Sequence, residues 1–406
     1  MLRNRLLLPA FALSVAVAGS ARAQARVPVI TLDRGAKEFA ESFSAVAQVR
    51  ELRDGRLLVM DMGEKELRLV DLARGTMSVV GRQGGGPTEY RMPGILLPGA
   101  SDTVAFYDAM QQRLLLISPQ GTPVRTVPFG AADDEAGMLS RMQPAGTDAA
   151  GHLYGQTTGA KMPTPQSGSQ SPMPTFSDTI EIQTMDYRSG KTTTLASIRS
   201  PTSQLAPKME FGAGKLKIIM TAPDFSPPDV WAALPDGRVA ILRDGIYQVQ
   251  FVGAGRAATL GPVVPSRPIP VTALERKAQL DSVRKMMDSV MAETRKTIAA
   301  ATSNSKTASP SVEADVLEPR TWAANKPPYT SLLSSPDGHL WVVVSHPAGT
   351  KAAKFDVLNS TGAPIAQVVL APGERLVGLG RGTVYTTRKD ADDLQYLRKY
   401  QLPKMP

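Results

Sequence analysis

The chain has 406 residues, is 42% hydrophobic and carries a formal charge of +9, which is enough apolar material for a substantial core and excludes a wholly disordered chain. It contains no cysteine, which excludes disulfides, a thiolate metal site, a cysteine nucleophile and a lipidated cysteine. Its basic residues are scattered along apolar strands and turns, without the dense clusters that would track a phosphate backbone, so no nucleic acid is expected among its partners.

Residues 1–23 read as a secretory signal peptide. Arg3 and Arg5 form a basic start, Leu6 to Gly19 is an apolar run, and Ala21-Arg22-Ala23 supplies a small-x-small cleavage signature. Cleavage is expected after Ala23, with Ala25 as the second choice. The apolar run is shorter than the roughly 20 residues that a span requires, so the chain is expected to be periplasmic or secreted, with no membrane span. Losing Arg3, Arg5 and Arg22 and no acid takes the charge from +9 to +6.

Residues 24–406 then repeat one phrase: a turn, a short apolar strand, a polar turn, and a second strand leading to a Gly-tipped hairpin. Arg56 to Met60 and Leu67 to Leu72 form the first copy, and Asp102 to Gly121 the second. Leu57 and Val59 point to one side of their strand and Leu58 and Met60 to the other, so that strand is apolar on both faces and belongs inside a stack of sheets. Further copies open at Gly151-His152, Asp236-Gly237, Asp337-Gly338 and Gly380-Arg381-Gly382. The spacing, about 44 to 48 residues where no insert intervenes, suits four-stranded propeller blades.

Six such openings predict an all-β, six-bladed β-propeller with one amphipathic helical insertion. Two stretches depart from the phrase: residues 161–178, rich in Pro, Ser, Gln and Gly, expected as a loop insertion, and 265–328, expected as a helical insertion. Within the second, Thr272 and Glu275 form a capping box, and Leu280, Val283, Met287, Val290, Thr294 and Ile298 recur at helical spacing over 272–301. The opposite face carries Arg276, Lys277, Arg284, Lys285, Arg295 and Lys296. The helix is expected to lie on the disc by its apolar stripe, with docking of a partner as its possible use. The sixth unit runs short of strands, and Val27 to Leu32 is the expected closing strand, whose removal with residues 24–33 should destabilise the whole ring.

The segment Gly81-Arg82-Gln83-Gly84-Gly85-Gly86-Pro87-Thr88-Glu89-Tyr90-Arg91-Met92-Pro93, with Phe106-Tyr107-Asp108 and Gln112-Arg113-Leu114 after it, resembles the repeat of NHL-type propellers and of exported bacterial six-bladed propellers similar to them. In that pattern a strand-end Asp is followed five positions later by Arg; Asp108 and Arg113 match, while Asp61 is followed by Glu66. The resemblance implies a propeller and leaves its ligand open.

Candidate chemistry is sparse, and no catalytic residue is assigned. Gly81 to Gly86 precede Pro87 and a strand, not a helix N-terminus, so they read as a blade crossover and not a phosphate loop. His152 and His339 hold equivalent repeat positions and His346 adjoins Pro347, which favours surface roles over a metal site. Asp61 and Asp108 read as strand-end hydrogen-bonding groups, and Asp108 with Arg113 as an ion pair across a hairpin. Trp231 and Trp341 read as blade contacts, and Trp322, in the insert, as the one tryptophan placed to meet a ligand. Asp54, Asp236 and Asp337 lie in turns, and the oxygen-ligand set of gluconolactonase-type propellers is not recognisable. The expectation is therefore a non-catalytic exported propeller binding a protein, peptide or glycan on a disc face or at the channel, without metal or cofactor. The alternative is a metal-dependent lactone hydrolase, or a lyase of the streptogramin-lyase type.

Overall fold

The computed structural model describes residues 27–92, 94–98, 103–129, 142–161, 175–186, 191–200, 207–212, 215–220, 224–302, 314–315 and 321–405. The expected signal peptide lies outside the described residues. The repeated phrase folds as a six-bladed β-propeller of antiparallel four-stranded sheets. The first blade is Val46–Glu51, Leu57–Asp61, Glu66–Asp71 and Thr76–Val79, and the second is Ile95–Pro98, Val104–Asp108, Arg113–Ile117 and Pro123–Pro128. The third is Gln143–Thr147, Leu153–Gln156, Thr179–Met185 and Thr192–Arg199, and the fourth is Val230–Ala233, Arg238–Leu242, Gln248–Gly253 and Thr259–Val263. Tyr329–Ser334, Leu340–Val344, Lys354–Leu358 and Pro364–Leu370 build the fifth, and Arg375–Leu379, Thr383–Lys389 and Gln395–Gln401 the sixth.

Burial explains why the second strands are apolar on both faces. Every residue of Leu57–Asp61 and of Val104–Asp108 is buried, because each sheet is sandwiched between two others. The core is accordingly divided into six apolar clusters, one at each junction between neighbouring blades. At the junction of first and second blades, Leu58, Met60 and Leu67 meet Tyr90, Leu96, Phe106 and Leu115. At the turn into the second strand, Gly55 takes φ 86°, a backbone state that glycine enters without a Cβ penalty.

Ring closure differs from the sequence expectation. Val29–Leu32 does not complete the sixth blade; it pairs in parallel with Pro364–Leu370, Val29 opposite Gln367 and Leu32 opposite Leu370, as a fifth strand on the fifth blade. The sixth blade is completed by Lys37–Phe43, antiparallel to Gln395–Gln401. Phe39 and Phe43, 2% and 1% exposed, carry this strand into the apolar cluster shared with Val46, Leu57 and Val59 of the first blade and Tyr385 and Leu397 of the sixth. Two buried aromatic side chains outweigh the weak strand propensity of the charged residues between them.

Among the described residues, the elements outside the blades include a hairpin, Pro207–Gly212 with Lys215–Met220, two short strand pairs, and one α-helix, Ala273–Thr302. The hairpin has no counterpart in the sequence reading; Leu216 and Lys217 pair in parallel with Ala314 and Asp315 beyond the helix, joining the two crossovers. No helix among the described residues is long and apolar enough to cross a membrane.

Phe39→Ala and Phe43→Ala should each destabilise the protein by about 3–5 kcal/mol. Deletion of residues 27–33, which removes an added edge strand and leaves the closure intact, should cost less than either substitution. Chemical denaturation of the three variants checks the ranking; a truncation as damaging as the phenylalanine losses would contradict this closure.

Candidate functional site

The innermost strands run side by side around the axis, and each presents one edge with no strand beyond it. Backbone groups left open on such an edge need partners. Side chains of neighbouring blades supply them. Gln48 donates from Nε2 to the Leu96 carbonyl (2.9 Å) and accepts from the Leu96 N–H (2.8 Å). Thr147 Oγ1 donates to Pro98 O (2.6 Å), Ser334 Oγ donates to Ala233 O (2.6 Å), and the Arg375 guanidinium donates to Val46 O. Gly378 sits where a Cβ would lie 2.5 Å from Val49 O, so its lack of a side chain sets how closely the sixth and first blades approach.

Carboxylates around this ring are committed to protein donors. Asp61 accepts from the N–H groups of Ser44, Ala45 and Gly63 at 2.8–3.1 Å, and Asp108 from those of Arg91, Met110 and Gln111 at 2.8–3.2 Å. Both are fully buried, and both tie the end of a second strand to the chain entering its own blade. Glu374 accepts from Thr386 Oγ1 (2.7 Å), Tyr400 OH (2.8 Å) and the Arg398 guanidinium. Asp229 accepts from Arg199 Nη2 (2.8 Å) and from the N–H groups of Arg199 (2.9 Å) and Asp244 (3.2 Å). Burial pushes the Asp229 carboxyl up, but Arg199 and those N–H groups outweigh it and hold the group below the usual aspartate range.

The expected ion pair between Asp108 and Arg113 does not form, although the two residues are directly opposed in the ladder. The acceptor sites of Asp108 are filled by backbone N–H groups. Arg113 instead reaches the glycine-rich crossover, donating to the carbonyls of Gly85 (3.3 Å), Gly86 (2.9 Å) and Glu89 (2.6 Å). Glu89 in turn accepts from the Gly86 N–H (2.8 Å), and Tyr90 OH accepts from the Leu67 N–H (3.0 Å), so the segment 81–92 is a folded bridge between the first two blades.

His152 and His346 have different partners. His152 Nδ1 lies 2.7 Å from Asp148 Oδ2, where Tyr154 OH also donates (3.1 Å), while His346 Nδ1 lies 3.2 Å from Pro347 O. Among the described residues no three His, Asp or Glu side chains gather in a way that could hold a metal ion. Trp341 is buried against Phe355, and Trp231 Nε1 donates to Gln156 Oε1 (2.7 Å) across the third and fourth blades.

The insert is built around a polar clasp on the face where the chain crosses from blade to blade. Glu275, in the first turn of the helix, is buried and ion-pairs with Lys326, and it accepts from the Ala348 N–H of the fifth blade at 2.7 Å. Lys326 Nζ also donates to His346 O (2.9 Å) and lies 5.2 Å from the Phe225 ring centre. Trp322 packs on Phe225, with the Arg276 guanidinium 5.7 Å from the Trp322 ring centre. Trp322 thus anchors the helix.

Only half of the expected capping box forms. The Glu275 N–H reaches Thr272 Oγ1 at 3.4 Å, but the Glu275 carboxylate turns outward to Lys326 and Ala348. Of the expected apolar stripe, Leu280 and Val283 are half-buried, and the side chains of Met287, Val290, Thr294 and Ile298 lie outside the described residues. Lys277 pairs with Asp281 along the helix at 2.6 Å. By Lys285 the helix has come near enough to Asp393, in the sixth blade's loop, to add to the effect of Lys389 in holding that carboxyl low.

No protein-family model and no curated protein sequence matches the chain. Among solved structures it is similar to the calcium-binding protein regucalcin from Agrobacterium tumefaciens, at 13% identity and TM-score 0.39, over 94% of this chain and 99% of that one. It is similar to a luciferin-regenerating enzyme at 9% identity and TM-score 0.40, over 91% of this chain and 95% of that one. Virginiamycin B lyase from Staphylococcus aureus follows at 8% identity and TM-score 0.37, over 91% of this chain and 88% of that one. Likeness this remote carries no activity from one chain to another.

Burial draws the Glu275 carboxyl up, and Lys326, the Ala348 N–H and nearby His346 outweigh it, so the group sits below its ordinary 4.5. Its contribution to docking is complete above that ordinary value and is lost as the pH falls through the lowered one. Glu275→Gln should raise hydrogen exchange of the helix's first turns about tenfold at neutral pH, leaving the blades unchanged. In the wild type the same loosening should appear only in acid; a helix indifferent to both changes would show that the clasp does not hold it.

Proposed function

We propose that this chain is a non-catalytic exported propeller that binds a protein, peptide or glycan through the face carrying the helix. One observation carries the reading: the helix is fixed at its first turn by the clasp of Glu275, Lys326 and Ala348, while most of its surface from Leu274 to Lys285 is turned to solvent. A segment held in a defined direction, yet little buried, is suited to meet something outside the protein.

Binding is favoured over the hydrolase or lyase alternative because of where the acids are spent. A hydrolase of the metal-dependent type needs several oxygen ligands converging at the channel mouth. Here Asp61, Asp108, Asp229 and Glu374 are occupied by backbone N–H groups, hydroxyls and guanidinium groups. Scaffold duty of this kind leaves them few free lone pairs for substrate or ion.

Excision of residues 270–320 should leave a folded disc, because all six apolar clusters lie between blades and, among the described residues of the excised segment, Val271 is the one buried apolar side chain. The mature protein immobilised as bait should retain a ligand that the excised form does not. Equal retention by both forms, with the excised form shown to be folded by its unfolding transition, would move recognition away from this face.

A further inference from the structure

The third and fifth blades enter their second strands through turns of the same backbone design, yet only one of the two satisfies its own side chains. In the third, the Asp148 N–H donates to His152 O (3.2 Å); in the fifth, the Ser335 N–H donates to His339 O (2.9 Å). Asp148 Oδ2 also lies 2.7 Å from His152 Nδ1 and accepts from Tyr154 OH, so the ring and the residue two positions on are both partnered. Ser335 stands where that acid would be, and its hydroxyl reaches only the His339 carbonyl, at 3.5 Å. Among the described residues, His339 Nδ1 is buried without a partner, and so is Nε1 of Trp341, at the position equivalent to Tyr154.

Where the fifth blade lacks the acid, a cleft of about 370 Å³ opens against the sixth blade. Asp337 and His339 line it from the fifth blade, and Gln401, Leu402, Lys404 and Met405 from the end of the sixth. Its volume lies near the lower end of the roughly 300–1,000 Å³ typical of small-ligand sites. Gly382 fixes the walls: its N–H donates to Asp337 Oδ2 (2.8 Å), and its carbonyl accepts from Gln401 Nε2 (2.8 Å) and from the Leu402 N–H (2.9 Å). With Nδ1 closed off, Nε2 is the ring nitrogen of His339 left to face the cleft. Asp337 Oδ1, Gln401 Oε1 and Lys404 Nζ make no hydrogen bond with a described residue.

We propose that this cleft binds a neutral sugar. Its lining offers two acceptors, Asp337 Oδ1 and Gln401 Oε1, the donors of Lys404, and His339 Nε2, which gives or accepts according to tautomer. A hydroxyl does both, so neighbouring hydroxyls of a sugar ring can satisfy such a mixed set, while Leu402 and Met405 offer apolar surface to its C–H groups. One carboxylate and one ammonium leave the lining without net charge, which favours neither an anion nor a cation. Asp337 and Lys404 are both exposed, so water screens their charges and they add little for a zwitterion such as an amino acid. The cleft lies where first strands lead into second strands, at the opposite end of the fifth blade from the clasp, so the proposal does not rest on the helix-bearing face.

Saturation-transfer NMR on the full mature chain tests this with glucose, galactose, mannose and N-acetylglucosamine, and with serine as the zwitterionic comparison. At least one of the sugars should receive saturation, and serine should not. His339→Phe keeps a ring without a hydrogen-bonding nitrogen, and Lys404→Ala removes the ammonium; each should weaken binding of that sugar about fivefold or more. Lys404 lies on an exposed segment, so its variant reads the site even if His339→Phe fails to fold. His152→Gln, at the equivalent turn of the third blade, should leave binding unchanged. Absence of binding by all four sugars, preference for serine, equal loss in His152→Gln, or binding that Lys404→Ala leaves intact overturns the proposal.

Discussion

Each blade is a sheet with two apolar faces, and neither face can be left to water. Every blade therefore depends on both neighbours, and the only arrangement that satisfies all six at once is a closed ring. The closing strand joins the first described residues to the last: Lys37 pairs with Lys399, and Glu38 receives the Arg388 guanidinium at 2.6 and 2.7 Å. Contacts spanning nearly the whole sequence come at a large entropic cost of loop closure, so they form late and hold the ring by packing and not by proximity. Phe39 and Phe43 are the side chains that make this closure favourable.

The ring imposes a second demand at its centre. Six inner edges converge with backbone groups exposed, and the chain answers with Gln48, Thr147, Ser334 and Arg375, each reaching across a blade junction. Acidic residues near strand ends are drawn into the same task. Asp61 and Asp108 carry no cation partner at hydrogen-bonding distance; they bind backbone N–H groups that the blade crossovers would otherwise leave open. The chemistry available to a ligand is thereby skewed. Those carboxylates are consumed by architecture.

Much of the fold was legible because its signals are local. Leu57 to Met60 announce a strand buried on both sides without reference to anything distant, and Asp-Gly turns mark where the second strands of the first, fourth and fifth blades begin. The closing strand was misplaced for the opposite reason. Val27 to Leu32 is the better strand by propensity, whereas Lys37-Glu38-Phe39-Ala40-Glu41-Ser42-Phe43 becomes one only when two aromatic side chains find a cavity formed by the first and last blades. Arg113 shows the same limit at side-chain scale: its register partner was readable, but its hydrogen bonds are decided by which acceptors are still open.

The helix illustrates how a polar attachment differs from an apolar one in what it leaves over. An amphipathic helix laid flat buries its stripe along its length, and its exposed surface is then only the polar remainder. Glu275 and Lys326 instead fix one end through a buried ion pair, whose net stabilisation is small after desolvation but whose geometry is specific. Arg276 on Trp322 and Gln279 near Asp224 set the rotation of the first turns, and Lys285 near Asp393 marks the direction in which the helix leaves. The orientation of the first turns is thus set by a few directional contacts, and the half-buried Leu280 and Val283 retain apolar surface.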